Sequence, residues 1–224
     1  MARLVAQPSK RKLRTSRRSL TGLVVTGSKG PASFESSLER DWLIVLDFDP
    51  NVRAIQVQPF TLFYDFGDRS SRYTPDVLVE VGKADQDNST IVYEVKYADD
   101  LRTHWAKYKP RFKAALRYCK QNGWGFKIVT ERQIRTTLLE NARFLRRYRA
   151  QPAHQVTCEQ LIYTMRALGK TTPQALLAAA YWSADARLGA LSMVWKMVAC
   201  RQIAADLDLP LTMSSSIWLP WEGQ

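Results

Sequence analysis

Between residues 52 and 97 the chain carries four short β-type runs, 52–58, 61–65, 76–81 and 91–97, with a polar loop at 82–90 before the last. Runs of this length, rich in branched and aromatic residues and bounded by Pro, Gly and Asp, read as strands rather than helices. Helical patterns flank them. Upstream, Phe34, Leu38, Trp42 and Val45 or Leu46 recur at helical spacing, with Ser33 as the expected N-cap and Asp49-Pro50 as the stop. Downstream, a helix is expected over 105–122 ending at Gly123, a strand over 125–129, and a helix over 131–149 ending in Arg143, Arg146, Arg147 and Arg149. The order helix, antiparallel strands, helix, strand, helix predicts a mixed α/β core.

Beyond Gln151-Pro152-Ala153, which reads as a linker, Thr157 is the expected cap of a helix to about 168, and Thr172-Pro173 opens a second. A third helix is expected over 186–200, then a short strand pair at 202–206 and 216–219. Three short helices followed by a β-ribbon form the pattern of a winged-helix module, with a helical docking or dimerisation module as the competing reading. The expected organisation is a basic flexible arm over 1–30, an α/β domain over 31–150 and a winged-helix-like domain over 151–224 that docks a partner, binds DNA, or both.

The chain has 33 Lys and Arg against 21 Asp and Glu, a net charge of +12. Such a balance points to a polyanionic partner, nucleic acid before anionic membrane. Residues 1–30 contain eight basic residues and no acidic one, and 102–149 contain fourteen basic against Glu131 and Glu140 alone. Phosphate contact is therefore expected of Arg11, Lys12, Arg14, Arg17 and Arg18 in the arm, and of Lys107, Lys109, Arg111 and Lys113 on the long helix; solvated charge is the alternative in both places. Cys119, Cys158 and Cys200 are far apart and odd in number, which argues for reduced thiols and against a zinc site or disulfide framework. No apolar run reaches membrane-spanning length and no signal-peptide pattern opens the chain, so a cytoplasmic, nucleoid-associated bacterial protein is expected. His104 and His154 are the only histidines and neither sits in a triad-like context; His104 reads as a surface or helix-start residue. Trp42, Trp105 and Trp195 occupy helical apolar positions and read as core, whereas Trp218 and Trp221, beside Pro220, read as partner contacts.

The chemistry gathers around Tyr93-Glu94-Val95-Lys96. Side chains alternate along a strand, so Glu94 and Lys96 share one face and Tyr93 and Val95 the other. Alone, that string also fits a solvated strand face. Thr74-Pro75-Asp76, however, stands directly before Val77-Leu78-Val79, and pairing of the two strands brings Asp76 near Glu94. Two carboxylates at close range repel unless a divalent cation neutralises them, and oxygen-rich sites of this kind suit magnesium or manganese. On the first helix Glu35 and Glu39 are four residues apart and share a face beside the apolar stripe, where one can reach the edge of the site.

Taken together, Phe34-Glu35-Ser36-Ser37-Leu38-Glu39-Arg40-Asp41, Gln58-Pro59, Tyr73-Thr74-Pro75-Asp76 and Glu94-Val95-Lys96 resemble the TnsA-type transposon endonucleases of the restriction-endonuclease-like superfamily, whose motif is PD-(D/E)xK. The resemblance covers residues 30–140. It implies a restriction-endonuclease-like mixed sheet with helices on both sides. It also implies an Mg²⁺-dependent endodeoxyribonuclease, with Mn²⁺ able to substitute and two ions per site when DNA is bound. Glu39, Asp76 and Glu94 would be the metal ligands, and Lys96 the residue that orients and activates the attacking water. Glu35 is the alternative helix carboxylate, and Gln58 either supports the site or is a strand-end hydrogen bonder. The implied activity is cleavage at the 5′ ends of a cut-and-paste transposon, with a DDE-type transposase cutting the 3′ ends and an AAA+ ATPase regulator docking on the C-terminal domain. The competing readings are another PD-(D/E)xK nuclease, of restriction or junction-resolving type, and a non-catalytic DNA-binding adaptor.

Overall fold

The structure is a computed structural model that describes residues 4–8, 22–26, 30–34, 36–67, 69–82 and 89–220. Arg11, Lys12, Arg14, Arg17, Arg18, Glu35 and Trp221 lie outside the described residues. The chain divides into two compact units, Met1–Arg135 and Thr136–Gln224.

The first unit runs β1 (Leu4–Pro8), β2 (Gly22–Thr26), β3 (Gly30–Phe34), α1 (Ser37–Phe48), β4 (Val52–Val57), β5 (Phe60–Phe66), β6 (Arg69–Tyr73), β7 (Val77–Val81), β8 (Ser89–Val95), α2 (Ala98–Gln121), β9 (Gly125–Val129) and α3 (Glu131–Ile134). Its central sheet has the order β4-β7-β8-β9. The first three strands are antiparallel, and β9 joins β8 in parallel because α2 carries the chain back across the sheet. A second, antiparallel sheet has the order β1-β5-β6. Leu78 and Val92 on one face of the central sheet pack with Phe60, Leu62 and Tyr73 of the second sheet and with Tyr108, Phe112, Ala115 and Cys119 of α2. On the other face Tyr93 meets Trp42 of α1, ring centroids 5.1 Å apart. Cover on both faces explains the continuous apolar runs Val77–Val79 in β7 and Ile91–Tyr93 in β8.

Local chemistry sets the boundaries, and in places it overrides the periodicity. Ser36 caps α1, not Ser33; the Ser36 hydroxyl accepts from the Glu39 N–H at 3.1 Å. Ser33 is unavailable because its backbone is already paired with Leu23 in the β2–β3 hairpin. The same hairpin, and the pairing of β1 with β5, make strands of two stretches in the expected arm over 1–30. The edge strand β6, Arg-Ser-Ser-Arg-Tyr, was invisible to hydrophobic pattern; a turn at Gly67, φ +59°, folds it back onto β5. Helix α2 starts at Ala98 rather than 105, and its backbone leaves helical geometry at His104 (φ −112°, ψ 21°), so only the part beyond that kink shows the apolar period. Gly123, φ +71°, lies just past its end as expected. Trp105, expected in the core, is 46% exposed. The expected helix over 131–149 is two helices, because Arg135 leaves helical geometry (φ −88°, ψ 67°) and Thr136 begins a new one.

The second unit comprises α4 (Thr137–Arg149), α5 (Gln155–Leu168), α6 (Pro173–Ala180), α7 (Ala184–Ala199), β10 (Ala204–Ala205) and β11 (Ile217–Trp218). Its boundary therefore falls before α4, not at 151. Helix α4 buries Leu139, Ala142 and Leu145, sets Phe144 against Trp195 of α7 at 5.2 Å, and accepts the Lys196 ammonium on the Arg149 carbonyl at 3.1 Å. His154, not Thr157, caps α5, while Thr172 caps α6 with Pro173 in its first turn as expected. Among the described residues no helix is long and apolar enough to cross a membrane.

Buried Asn141 ties α4 to the segment before β11. Its Nδ2 donates to the Leu207 and Leu209 carbonyls, each at 2.8 Å, and its Oδ1 accepts from the Leu211 N–H at 3.1 Å. Asn141→Ala strands those backbone groups, and a loss of about 2 kcal/mol is expected. A thermal melt checks it; a melting temperature equal to the parent's would show that water replaces all of these bonds.

Candidate active site

Strand pairing brings the expected residues together. Val77 faces Tyr93 in the β7–β8 register, so Asp76 arrives one step beyond it, beside Glu94 and Val95. The Asp76 backbone is held from behind by the Gln58 N–H, which donates to its carbonyl at 2.8 Å. Gln58 reaches that position in a left-handed conformation, φ +47°, which is unusual for a residue with a Cβ and marks a place where tertiary structure dictates the backbone. The Asp76 carboxylate turns the other way, and its Oδ2 accepts the Val95 N–H at 2.7 Å.

Alternation along β8 holds: Glu94 and Lys96 lie on one face. That face is not solvated, however, since Glu94 is 2% exposed beneath the second sheet and α2. The Lys96 ammonium stands among three oxygens, Glu94 Oε1 at 3.0 Å, the Val95 carbonyl at 2.9 Å and Asp76 Oδ2 at 3.4 Å. The second carboxylate oxygen of Glu94 accepts the Tyr73 hydroxyl. The sequence pattern contains Tyr73 but assigns it no role. The only signal that marks it is an aromatic hydroxyl at the end of a polar strand, three residues before the aspartate.

Burial governs the electrostatics. Desolvation, helped by the Asp76 carboxylate, pushes Glu94 up to about 7 against the opposing pull of Lys96 and the hydrogen bonds from Tyr73 and Lys96. Burial also works against the Lys96 ammonium, but Asp76 and Glu94 outweigh it and hold its pKa above the ordinary lysine value. Tyr73 is raised well above the usual phenol value by burial first and then by the charges of Glu94 and Asp76. Its proton therefore stays on, as a donor to the carboxylate requires.

Glu39 is placed differently from expectation. It lies in the first turn of α1, where the Ser36 hydroxyl donates to its Oε1 at 3.0 Å, and it acts on Lys96 only as the weakest of the charges that favour the ammonium. Among the described residues no three His, Cys, Asp or Glu side chains converge as a metal-binding group. The convergent oxygens are instead those of Asp76, Glu94 and the Val95 carbonyl, all three already gathered around one cation. Hard oxygens of this kind, two of them carboxylate, are a donor set that magnesium or manganese accepts. On donor chemistry these residues fit such an ion.

Beside the site, buried Asp41 of α1 receives Arg40 at 3.0 Å and Arg135 at 3.2 Å, and the Arg135 guanidinium also lies over Tyr97, the residue after Lys96. These contacts fix α1 against the end of β8. On α2, His104 is a surface residue, as expected, and stands inside the helix at its kink; its Nδ1 bonds Asp100 at 2.8 Å, and Tyr108 donates to the other oxygen of Asp100 at 2.6 Å. Of the expected DNA contacts on α2, Lys107, Lys109 and Lys113 are exposed, while Arg111 is half-buried over the Tyr108 ring at 4.6 Å.

No curated protein matches the chain significantly. Residues 49–131 match the family model described as TnsA-like endonuclease N terminal. The matched stretch spans β4 to the start of α3 and contains Asp76, Glu94 and Lys96, while Glu39 precedes it. The order of strands around the Asp, Glu and Lys cluster and the family match thus point the same way: residues 49–131 are similar to the N-terminal domain of TnsA-like endonucleases.

Proposed function

We propose that the protein is a metal-dependent DNA endonuclease that cuts the 5′ ends of a cut-and-paste transposon by phosphodiester hydrolysis. The observation that carries this reading is the convergence of Asp76, Glu94, the Val95 carbonyl and Lys96 at the end of β8. Asp76, Glu94 and the Val95 carbonyl would hold Mg²⁺ or Mn²⁺, with Glu39 reserved for a second ion once DNA is bound. Such an ion offsets negative charge on the attacked phosphate and lowers the pKa of a bound water. Lys96 keeps its proton, so it acts as a fixed positive charge toward nucleophile and phosphate and not as a base. Tyr73 holds one Glu94 oxygen, Val95 N–H holds one Asp76 oxygen, and the carboxylates are thereby set before substrate arrives.

The strand not cut here falls to a DDE-type transposase, as the family implies. For the second unit, the order α5, the Thr171–Ile217 bridge, α6, α7, β10, β11 supports a winged-helix reading. Its third helix is poorly suited to reading a groove. Met193, Val194, Trp195, Met197 and Val198 are buried, Arg187 is spent on the Tyr181 and Trp182 carbonyls, and Lys196 on that of Arg149. Trp182 at 97% and Leu188 at 72% exposure support a protein-docking role instead, with the AAA+ regulator as the occupant.

The test is a reconstituted reaction with end-labelled transposon DNA, the transposase and this protein, with and without EDTA. Cleavage of the 5′ strand that needs both this chain and Mg²⁺ is the expected result. Efficient cutting without any transposase would favour a restriction or junction-resolving enzyme, and metal-indifferent binding without cutting would favour an adaptor.

A further inference from the structure

A cleft of about 480 Å³ lies between α2 and the outer end of the β5–β6 hairpin. Lys109, Lys113 and Arg117 form one wall; Tyr64 and Phe66 form the other. The three cations sit at i, i+4 and i+8, a single stripe with successive members about 6 Å apart along the axis. That repeat is close to the spacing of phosphates on an extended nucleic-acid strand. Asp65 is the one carboxylate among the lining residues, so the cleft is strongly cationic. Opposite the stripe, Phe66 is 60% exposed at the hairpin tip, paired with Arg69 across the turn at Gly67.

We propose that this cleft binds a short unpaired stretch of DNA, with its phosphates on Lys109, Lys113 and Arg117 and a base stacked on Phe66. Basic tracks faced by exposed aromatic rings suit single strands, because every base has a ring face to stack and the backbone follows the charge. A B-form duplex is too wide for a cleft of this volume and keeps its ring faces inside the stack, so an exposed phenylalanine gains nothing from it. The identification of the occupant as DNA rests on the nuclease reading: a nuclease that cuts one strand at a junction leaves a freed end, and the cleft gives that end a seat on the same domain.

The experiment is fluorescence anisotropy on the full chain without divalent cation, using a labelled short oligodeoxythymidine and, separately, a blunt duplex of equal length. The combined Lys109→Ala, Lys113→Ala and Arg117→Ala variant should reduce the slope of log affinity against log salt by about 2 for the oligonucleotide. Phe66→Ala should weaken oligonucleotide binding about tenfold with the slope unchanged, and Phe66→Trp should keep it. Duplex affinity should not respond to Phe66→Ala. These side chains are exposed, so thermal melts should coincide with the parent's. Oligonucleotide affinity indifferent to Phe66→Ala, or an equal loss for the duplex, overturns the proposal. Because no cleavage occurs in this assay, the two readings separate. Normal strand binding by a protein that never cuts would sink the nuclease reading alone. Normal cutting with an unaltered Phe66→Ala affinity would sink only the cleft.

Discussion

Replacing Asp76 with asparagine is expected to lower the proposed 5′-strand cleavage by about a thousandfold, the scale for removing one preorganised charge at a reacting phosphate. Asparagine is the informative choice because it keeps the shape and can still accept the Val95 N–H that Asp76 Oδ2 accepts at 2.7 Å. What it loses is the negative charge that, with Glu94, faces the Lys96 ammonium. The melting temperature should therefore stay within a few degrees of the parent's while the rate collapses. Lys96→Ala should lose activity on the same scale, because a charge fixed beside the phosphate is removed and no neighbouring cation among the described residues of the cluster replaces it. The measurement is single-turnover cutting of end-labelled DNA in the presence of the transposase. An Asp76→Asn protein cutting within about tenfold of the parent would remove Asp76 from the chemistry.

Much of this arrangement was legible in the sequence, for reasons that can be named. Strand alternation is a rigid geometric rule, so Glu94 and Lys96 had to share a face once 91–97 was read as a strand. Pro75 marked where β7 begins, and the hairpin did the rest by placing Asp76 one step beyond the Val77–Tyr93 pair. What could not be read was anything decided by partners distant in sequence. The strand β6 has no apolar period, because it is an edge held by β5 on one side. Without β6, Tyr73 has no visible path to Glu94, and the face that carries Glu94 looks solvated when it is covered. Glu39 shows a related limit. Helical spacing sets it beside the apolar stripe of α1, but spacing is silent about competition from Ser36, whose hydroxyl donates to Oε1. The break at Arg135 and Thr136 was missed because both sides of it are good helix, and only packing assigns α4 to the second unit.

Glu94→Gln should leave stability nearly unchanged near pH 4 and raise it near pH 8. The sign follows from proton binding. Burial and Asp76 push folded Glu94 up to about 7, whereas an unfolded glutamate titrates at about 4.3. Between those values the folded state holds a proton that the unfolded state has released, so parent stability falls as pH rises through that window. Above it the penalty is complete, at about 4 kcal/mol for a gap of this size. Glutamine has the shape of the protonated acid and can receive Tyr73 or Lys96, but it never ionises, so its stability curve should be flat across the same range. The gap at pH 8 should be on the order of 5–10 °C in melting temperature for a chain of this length. Magnesium supplies the contrast: if Glu94 is a ligand, millimolar Mg²⁺ should stabilise the parent at pH 8 and the glutamine variant much less, since only a site that binds the ion gains from it. Parallel pH curves for the two proteins would mean that Glu94 is ionised without penalty in the folded state. Its burial beneath the second sheet would then be irrelevant to its charge, and the case for a strained, cation-seeking carboxylate at the end of β8 would fail.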